Sequence, residues 1–369
     1  MKIAYYMPFK AMGHPHPSGD LIQGTELFQH LIDLGHDCRQ ISDLRCRWLY
    51  LQPHRWPALC REYAATLHRL RDFAPDLWLS YHSYYKAPDL LGPSCCRRLQ
   101  LPYVLFQGIY STKPRKKLKT MLGYYLNRQA LTAARLVFTN KRRDQRNLQR
   151  LLAEERIRYV APGIHPASFS FDSQARQTLR ANWQTGPATI VMTAAMLRPG
   201  VKTLGVKWVI EACAALIRRG RPLQLIIAGD GEGRQELESL AGQLMPGRFV
   251  FLGRLARSEL AAYYSAADIF AFPGIEESLG MVYLEAQSCG LPIVACADWG
   301  GGEAVRPGQT GLLSPFAQPA EFTENIDRLI QDKVLRRQLG DEAAIHIRQH
   351  HDLSRTYGTI NTSLLSLIK

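Results

Sequence analysis

Twice along this 369-residue chain, short apolar runs alternate with segments that have the apolar periodicity of helices. This pattern constrains the fold more than any other feature of the sequence. In the first half, the runs with strand character are residues 2–7, 38–42, 76–81, 103–107, 136–139 and 158–161. In the second half they are residues 189–193, 223–228, 249–252, 269–272 and 293–295. Strands that alternate with helices predict parallel sheets covered by helices, so the chain is expected to be α/β.

A polar stretch without apolar periodicity separates the two alternations. It spans residues 169–187 and ends in the breaker Gly186-Pro187, which is typical of a linker. We therefore predict an N-terminal domain over residues 1–168, a C-terminal domain over residues 188–348 and a last helix over residues 349–369. Because ligands of open α/β sheets bind at the carboxyl ends of the strands, two Rossmann-like doubly wound domains are expected to face each other across a cleft.

The cysteine pattern and the distribution of apolar residues indicate the cellular location of the protein. The eight cysteines form no Cys-x-x-Cys pair and no zinc spacing, so they are interpreted as reduced thiols. The first residues lack the pattern of a signal peptide, and no window approaches the roughly 20 apolar residues of a spanning helix. These features predict a cytoplasmic protein, with peripheral attachment to the inner face of the membrane as an open alternative.

The formal net charge of +14 is concentrated in residues 113–158, which hold fourteen Lys or Arg residues against three acidic ones. Such a block indicates an anionic partner, whether membrane, phosphorylated substrate or nucleic acid, although a solvated helix face explains it equally well. Within residues 113–135, Pro114 suits the first turn of a helix. One apolar stripe of this helix comprises Leu118, Met121, Leu122, Tyr125 and Leu126. The stripe either docks on an anionic membrane or packs into the core beneath a solvated basic end.

The stretch over residues 272–286 has the features of a ligand site. It leaves a strand, turns through Gly274 and enters a helix near Gly280, with Glu277 and Glu285 eight positions apart. The N–H groups at this helix start belong to Leu279, Gly280, Met281 and Val282. Such N–H groups bind anions, and carboxylates accept hydrogen bonds from sugar hydroxyls. The plainer alternative makes Glu277 a helix cap and Glu285 a surface acid.

This stretch resembles the Glu-x7-Glu signature of the family-4 retaining glycosyltransferases, or group 1 glycosyl transferases. Companion motifs follow in the family's order at residues 228–231, 251–254, 263–268, 289–295 and 310–313, so the resemblance covers residues 188 to about 345. It is weaker in the N-terminal half, at Gly19, Gly35-His36, residues 74–76 and residues 161–163. The resemblance implies the GT-B fold and a last helix that crosses back to the N-terminal domain.

The resemblance also implies roles for single residues. Glu285 is expected to accept hydrogen bonds from the donor ribose, and Glu277 to lie beside the donor sugar. Gly253 and Arg254 are expected near the base, and Gly19 is assigned to the donor side. Lys202 resembles the family's diphosphate lysine, which neutralises charge on the leaving group.

Three departures from the family pattern affect these assignments. Where the family has Gly-Arg-Leu, this chain has Ala195-Met196-Leu197, so either Arg198 replaces the arginine missing at Met196 or Lys202 holds the diphosphate alone. The first loop reads Gly19-Asp20 instead of Gly-Gly, and Asp20 is interpreted as an N-cap.

The third departure is Gln107, which stands where the family often has a histidine and cannot act as a base. Gln107 and His82 are nonetheless the candidate acceptor contacts, with a purely structural histidine as the alternative for His82.

The sequence therefore predicts a retaining glycosyltransferase that moves a sugar from a nucleotide diphosphate-sugar to an acceptor. One candidate for the acceptor is a lipid-linked or cell-envelope glycan. No Asp-x-Asp motif is present, so no metal and no cofactor are expected, and no nucleic-acid partner. One alternative is a sugar phosphorylase or epimerase on the same fold. Another is a non-catalytic binder of anionic membrane or nucleic acid, which leaves the C-terminal motifs unexplained.

Overall fold

Two six-stranded sheets are present in the computed structural model, which describes residues 1–14 and 19–368, and they contain all eleven predicted strands together with one more, β12 (Gly311–Ser314). One compact unit comprises residues 1–162 and 354–369, and the other comprises residues 163–353. Within each sheet the named strands pair in parallel. Central strands are buried on both faces, as expected of parallel sheets covered by helices.

The first unit follows the order β2-β1-β3-β4-β5-β6. Its strands are β1 (Lys2–Tyr6), β2 (Asp37–Ser42), β3 (Leu77–Ser83), β4 (Tyr103–Gly108), β5 (Leu136–Thr139) and β6 (Ile157–Tyr159). Its helices are α1 (Gly19–Asp33), α2 (Trp56–Phe73), α3 (Gly92–Leu99), α4 (Leu118–Ala133) and α5 (Arg142–Leu148).

The second unit follows the order β12-β11-β10-β7-β8-β9. Its strands are β7 (Thr189–Ala194), β8 (Leu223–Ala228), β9 (Phe249–Gly253), β10 (Ile269–Ala271), β11 (Ile293–Cys296) and β12 (Gly311–Ser314). Its helices are α6 (Ser173–Asn182), α7 (Val201–Arg218), α8 (Arg234–Leu244), α9 (Leu260–Ala266), α10 (Met281–Ser288), α11 (Gly300–Ala304), α12 (Pro319–Gln331) and α13 (Lys333–His350).

Each sheet has one topological switch point, where the chain changes its direction of travel across the sheet. In the first unit it lies between β1 and β3, and in the second between β7 and β10. Helix starts and loops at the carboxyl ends of these strands diverge and leave a crevice for ligands. The strand order alone therefore indicates where each unit is expected to bind its ligand.

The last helix, α14 (Leu353–Ile368), packs within the first unit. The Tyr357 hydroxyl donates to the carbonyl of Gln23 at 3.4 Å, and the rings of Tyr357 and Phe106 lie 6.3 Å apart. The side chains of His36 and Asn361 are 2.7 Å apart. These contacts attach the end of the chain to the sheet formed by its beginning.

The predicted linker over residues 169–187 is wrong in one respect, because it contains α6. Asp172 caps this helix by accepting from the N–H groups of Gln174 and Ala175 at 2.9 Å each. Arg176 and Arg180 then bind the Asp268 carboxylate at 2.5 and 2.9 Å. Since α6 buries no residue, it has no apolar period from which a helix could be predicted.

Helix α4 corrects one further prediction and decides against one of two alternatives. Pro114 lies in a short 3-10 turn, Lys113–Lys116, and α4 itself begins at Leu118. The predicted apolar stripe is not in the core: Leu118 is 88% exposed, Met121, Leu122 and Tyr125 are also exposed, and Leu126 is partly buried. The opposite face packs inward through Gly123, Tyr124, Asn127, Ala130 and Leu131.

No helix in the described part of the chain is both long enough and apolar enough to cross a membrane.

Candidate active site

Lys202 and Glu277 meet at the switch point of the second sheet. Lys202 lies in the first turn of α7, the helix that follows β7, and Glu277 lies in the loop after β10. The Lys202 ammonium forms an ion pair with the Glu277 carboxylate, and its Nζ lies 5.6 Å from the centroid of the Phe272 ring. Two residues selected separately from the sequence are thus in direct contact where a ligand is expected.

The Lys202 ammonium has an unusual acidity. Burial lowers its pKa from 10.5 to about 8, and the nearby positive charge of Arg198 contributes in the same direction. The Glu277 carboxylate acts in the opposite direction by favouring the charged lysine. Arg198 itself is exposed, as is Met196, so Arg198 is a second cation close enough to act on Lys202.

The start of α10 requires glycine. Gly280 has a φ of 64° and is the residue before the helix, followed by Met281 and Val282. A Cβ at Gly280 would collide with the Tyr283 ring, which is fixed by a hydrogen bond from its hydroxyl to the Phe272 carbonyl at 3.0 Å. The structure therefore places the backbone of residues 279–282, with Leu279 buried, at a helix N-terminus beside Glu277.

Glu285 is a buried carboxylate, only 4% exposed. Its Oε1 accepts from Arg257 Nε at 3.0 Å, and its Oε2 lies 3.5 Å from the Tyr264 hydroxyl. The plainer alternative, an ordinary surface acid, is wrong. Sequence reasoning missed Arg257 and assigned no role to Tyr264, because neither has a local spacing that relates it to Glu285.

Glycines bring the loops after β7, β8 and β9 together. A side chain at Gly229 would collide with the Ala195 carbonyl, and Gly231 has a φ of 152°. The Gly229 N–H donates to the Gly253 carbonyl at 2.8 Å. Gly253, at the end of β9, has a φ of 72°, and Arg254 after it is exposed. Gly253 and Arg254 therefore lie at the same edge of the sheet as the Lys202 ion pair.

In the first unit, His82 and Gln107 lie side by side at the carboxyl ends of β3 and β4. Both are buried and both have positive φ, 67° and 55°. Non-glycine residues adopt this conformation at a cost of about 1–3 kcal/mol, and such strain is concentrated at functional sites. The Gln107 amide donates to Gln23 Oε1 at 3.0 Å.

Asp20 lies beside His82 and corrects its predicted role as an N-cap. It is the second residue of α1, and its Oδ1 lies 3.2 Å from His82 Nδ1. Burial acts to raise the pKa of Asp20, but the adjacent His82 ring, together with the positive charges of Lys141 and Lys10, lowers the pKa below its usual value. Gly19 opens α1, and a Cβ there would meet no atom within 4 Å.

Comparison with known families identifies the second unit. Residues 186–346 match the sequence model of the family described as Glycosyl transferases group 1. The second unit therefore resembles a group 1 glycosyl transferase domain, and residues 186–346 are called the group 1 domain below. This domain contains Lys202, Glu277 and Glu285, as the resemblance of the motifs predicted.

Curated relatives of this group 1 domain include an alpha-D-kanosaminyltransferase of Streptomyces kanamyceticus, which is 31% identical over 58% of this chain and 55% of its own length. A D-inositol 3-phosphate glycosyltransferase of Pseudarthrobacter chlorophenolicus is 32% identical over 55% of this chain and 48% of its own length. The alignments thus span about half the length of these relatives.

The fold likeness extends beyond the group 1 domain. A crystal structure of the Anabaena protein Alr3699/HepE in complex with UDP covers 99% of this chain and 100% of its own, with a TM-score of 0.79 at 19% identity. A likeness at this identity concerns the fold alone. It confirms the predicted fold class, two Rossmann-like α/β domains of the GT-B type.

Proposed function

We propose that this protein is a retaining glycosyltransferase that transfers a sugar from a nucleotide diphosphate-sugar to a glycan acceptor. The observation on which this rests is the Lys202–Glu277 ion pair beside the glycine-started helix α10, at the switch point of a group 1 domain. The ammonium and the helix N-terminus provide positive charge for a diphosphate. The Glu277 carboxylate provides hydrogen-bond acceptors for a sugar.

The donor is assigned to the second unit. Glu285 is proposed to accept from the ribose hydroxyls with the carboxylate that Arg257 and Tyr264 orient. Gly253 and Arg254, which share the same edge of the sheet, are proposed to lie near the base. Arg198 is proposed to supply the second positive charge on the diphosphate.

Nucleotide binding tests the proposal directly. A thermal-shift screen of nucleoside diphosphates, beginning with UDP because the Anabaena structure contains it, is expected to show one base that raises the melting temperature. Donor hydrolysis with and without candidate acceptors then separates transfer from phosphorolysis or epimerisation. A protein that binds no nucleoside diphosphate at millimolar concentration would refute the proposal.

Transfer is expected to continue in excess EDTA. Lys202 and the N-terminus of α10 are proposed to stabilise the leaving diphosphate in place of a divalent cation. Initial rates measured with EDTA, and again after addition of magnesium or manganese, check this. Activity that chelator abolishes and either cation restores would contradict metal independence.

Affinity for a nucleoside diphosphate is expected to fall as the pH rises from 7 to 9.5. The pKa of Lys202 is about 8 in the free protein, so above this pH the lysine is mostly neutral. A bound diphosphate favours the ammonium form, so binding takes up a proton in this range. Isothermal titration in buffers of different ionisation enthalpy measures both the affinity and the proton uptake.

The matched control for this pH dependence is Lys202→Arg, whose guanidinium stays charged throughout the range. Its affinity is expected to be independent of pH, even if the arginine binds more weakly. Equal slopes for the two proteins would show that another group is responsible.

The acceptor is assigned to the first unit, with His82 and Gln107 as contacts. We further propose that the acceptor is lipid-linked and that α4 brings the protein to an anionic membrane. Four exposed apolar side chains on α4 lie next to five exposed cations. The apolar residues are Leu118, Met121, Leu122 and Tyr125, and the cations are Lys113, Arg115, Lys116, Lys117 and Lys119. An apolar and basic surface of this kind suits a membrane interface, where each cation contributes about 1 kcal/mol.

Co-sedimentation with liposomes is expected to show salt-sensitive binding to anionic vesicles and none to neutral ones. The variant Lys116→Glu/Lys117→Glu/Lys119→Glu is expected to remain in the supernatant, because reversal of three charges replaces attraction by repulsion. The control Arg71→Glu/Arg97→Glu/Arg98→Glu changes the net charge equally at exposed positions outside α4 and is expected to bind. If wild type stays in the supernatant with every lipid, the membrane proposal is wrong.

A further inference from the structure

A series of aromatic rings leads away from His82 along the first unit. The rings of Phe9 and Tyr84 lie 5.2 and 5.0 Å from that of His82. Tyr84 is followed by Tyr85 at 5.7 Å, and Tyr85 by Trp48 at 6.3 Å. We call Phe9, Tyr84, Tyr85 and Trp48 the aromatic track. All four are only partly buried, so their rings remain accessible from solvent.

The position of the aromatic track follows from the topology. Its residues come from the segments after the carboxyl ends of β1 and β3, which flank the switch point, and of β2, the neighbour of β1. This is the edge at which an α/β sheet binds ligands. The aromatic track is therefore continuous with the edge that contains His82.

Three cations lie over these rings. The Arg47 guanidinium lies 5.9 Å from the centroid of Phe9. The ammonium groups of Lys86 and Lys119 lie 5.9 and 5.8 Å from that of Trp48. Among the described residues, none of the three forms an ion pair with a carboxylate. Their charge is therefore available to an anionic ligand.

Backbone contacts hold the aromatic track in place. The Trp48 N–H donates to the Lys86 carbonyl at 2.7 Å, which joins the segments after β2 and β3. Trp48 has a φ of 59°, an unfavourable conformation for a tryptophan. Arg45 Nε donates to the Phe9 carbonyl at 3.2 Å. A strained, partly exposed tryptophan that is fixed by such contacts indicates a functional surface, because backbone strain is concentrated at functional sites.

We propose that the aromatic track binds the acceptor as a short anionic glycan, with sugar rings stacked on Phe9, Tyr84, Tyr85 and Trp48. Phosphate or carboxylate groups of the glycan then pair with Arg47, Lys86 and Lys119. Aromatic rings offer apolar faces that match the C–H faces of sugars, and unpaired cations bind anionic groups strongly. The inference rests on the proposed glycosyltransferase function, because that function makes a glycan the expected ligand at His82. Single-stranded nucleic acid also stacks on aromatic rings, and the experiment includes it as a competitor.

A glycan array with matched neutral, phosphorylated and carboxylated oligosaccharides tests the proposal on the full chain. Wild type is expected to prefer the anionic member of each pair. Arg47→Glu/Lys86→Glu is expected to lose about tenfold or more in affinity for anionic glycans, since each reversed charge repels the ligand. Tyr85→Ala is expected to weaken binding of neutral and anionic glycans alike. Arg98→Glu, an exposed charge reversal in the last turn of α3, serves as control and is expected to bind as wild type.

The same preparations are tested for nucleoside diphosphate binding by thermal shift, which also shows that the variants are folded. Failure of wild type to bind any nucleoside diphosphate would refute the proposed function. If the nucleotide binds but neutral and anionic glycans bind equally, the aromatic track is not an anionic glycan site. Unchanged glycan binding by Arg47→Glu/Lys86→Glu, or stronger binding of oligo(dT) than of any glycan, would overturn the inference in the same way.

Discussion

Replacement of Lys202 by methionine is expected to lower kcat for sugar transfer about 100- to 1,000-fold, the usual effect of removing one preorganised donor from a developing anion. Methionine retains the length and the apolar stem of lysine but removes the ammonium group that contacts Glu277. Because charge on the diphosphate increases as the sugar leaves, the loss is expected mainly in kcat and less in donor affinity. Steady-state kinetics with saturating donor measure the two effects separately.

Lys207→Met is the matched control, because Lys207 is on the same helix and pairs with Glu211 at 3.9 Å, outside the proposed site. It is expected to retain the wild-type rate. A folded Lys202→Met protein with unchanged kcat would show that another group neutralises the leaving diphosphate.

Replacement of Glu285 by glutamine is expected to weaken donor binding about 10- to 150-fold, because a hydrogen bond to a charged group contributes roughly 1.5–3 kcal/mol. Glutamine keeps the shape of the buried side chain but removes the charge that Arg257 and the ribose hydroxyls would share. Calorimetry with the nucleoside diphosphate identified by the thermal-shift screen gives the change in Kd.

The control for Glu285 is Glu276→Gln, which removes an exposed carboxylate from the loop that precedes α10. A small effect there and a large one at position 285 would separate a direct contact from general electrostatics. Unchanged affinity in a folded Glu285→Gln protein would exclude Glu285 as the ribose acceptor, and the Arg257 pair would then be purely structural.

The positions of most strands follow from local sequence. Runs such as Ile293–Cys296 are apolar throughout, and only a strand covered on both faces satisfies such a pattern over so few residues. Helix α6 and strand β12 are examples of elements that local sequence does not reveal. Helix α6 is held by the Asp172 cap and by arginines that reach Asp268, and β12 is four residues long and begins with glycine. Neither has an apolar period.

The candidate donor site was predicted in part. Glu277 and Glu285 belong to one short segment, so their spacing on a loop and helix is a local property. The contact between Lys202 and Glu277 joins residues 75 positions apart, and that between Arg257 and Glu285 joins residues 28 apart. Both contacts depend on which strands become neighbours, and β10 returns to the far side of β7 only in the folded sheet.

Helix α4 separates most clearly what the sequence by itself determined from what only the tertiary structure decided. Periodicity determined that Leu118, Met121, Leu122 and Tyr125 share one face, because residues three and four apart in a helix are neighbours. It did not determine that this face is exposed. Gly123 packs so closely on Tyr50 and Tyr85 that even a methyl group would collide, and this contact turns the other face of α4 inward. The apolar periodicity of a helix specifies which residues share a face. Whether that face is buried depends on packing partners that only the folded chain brings together.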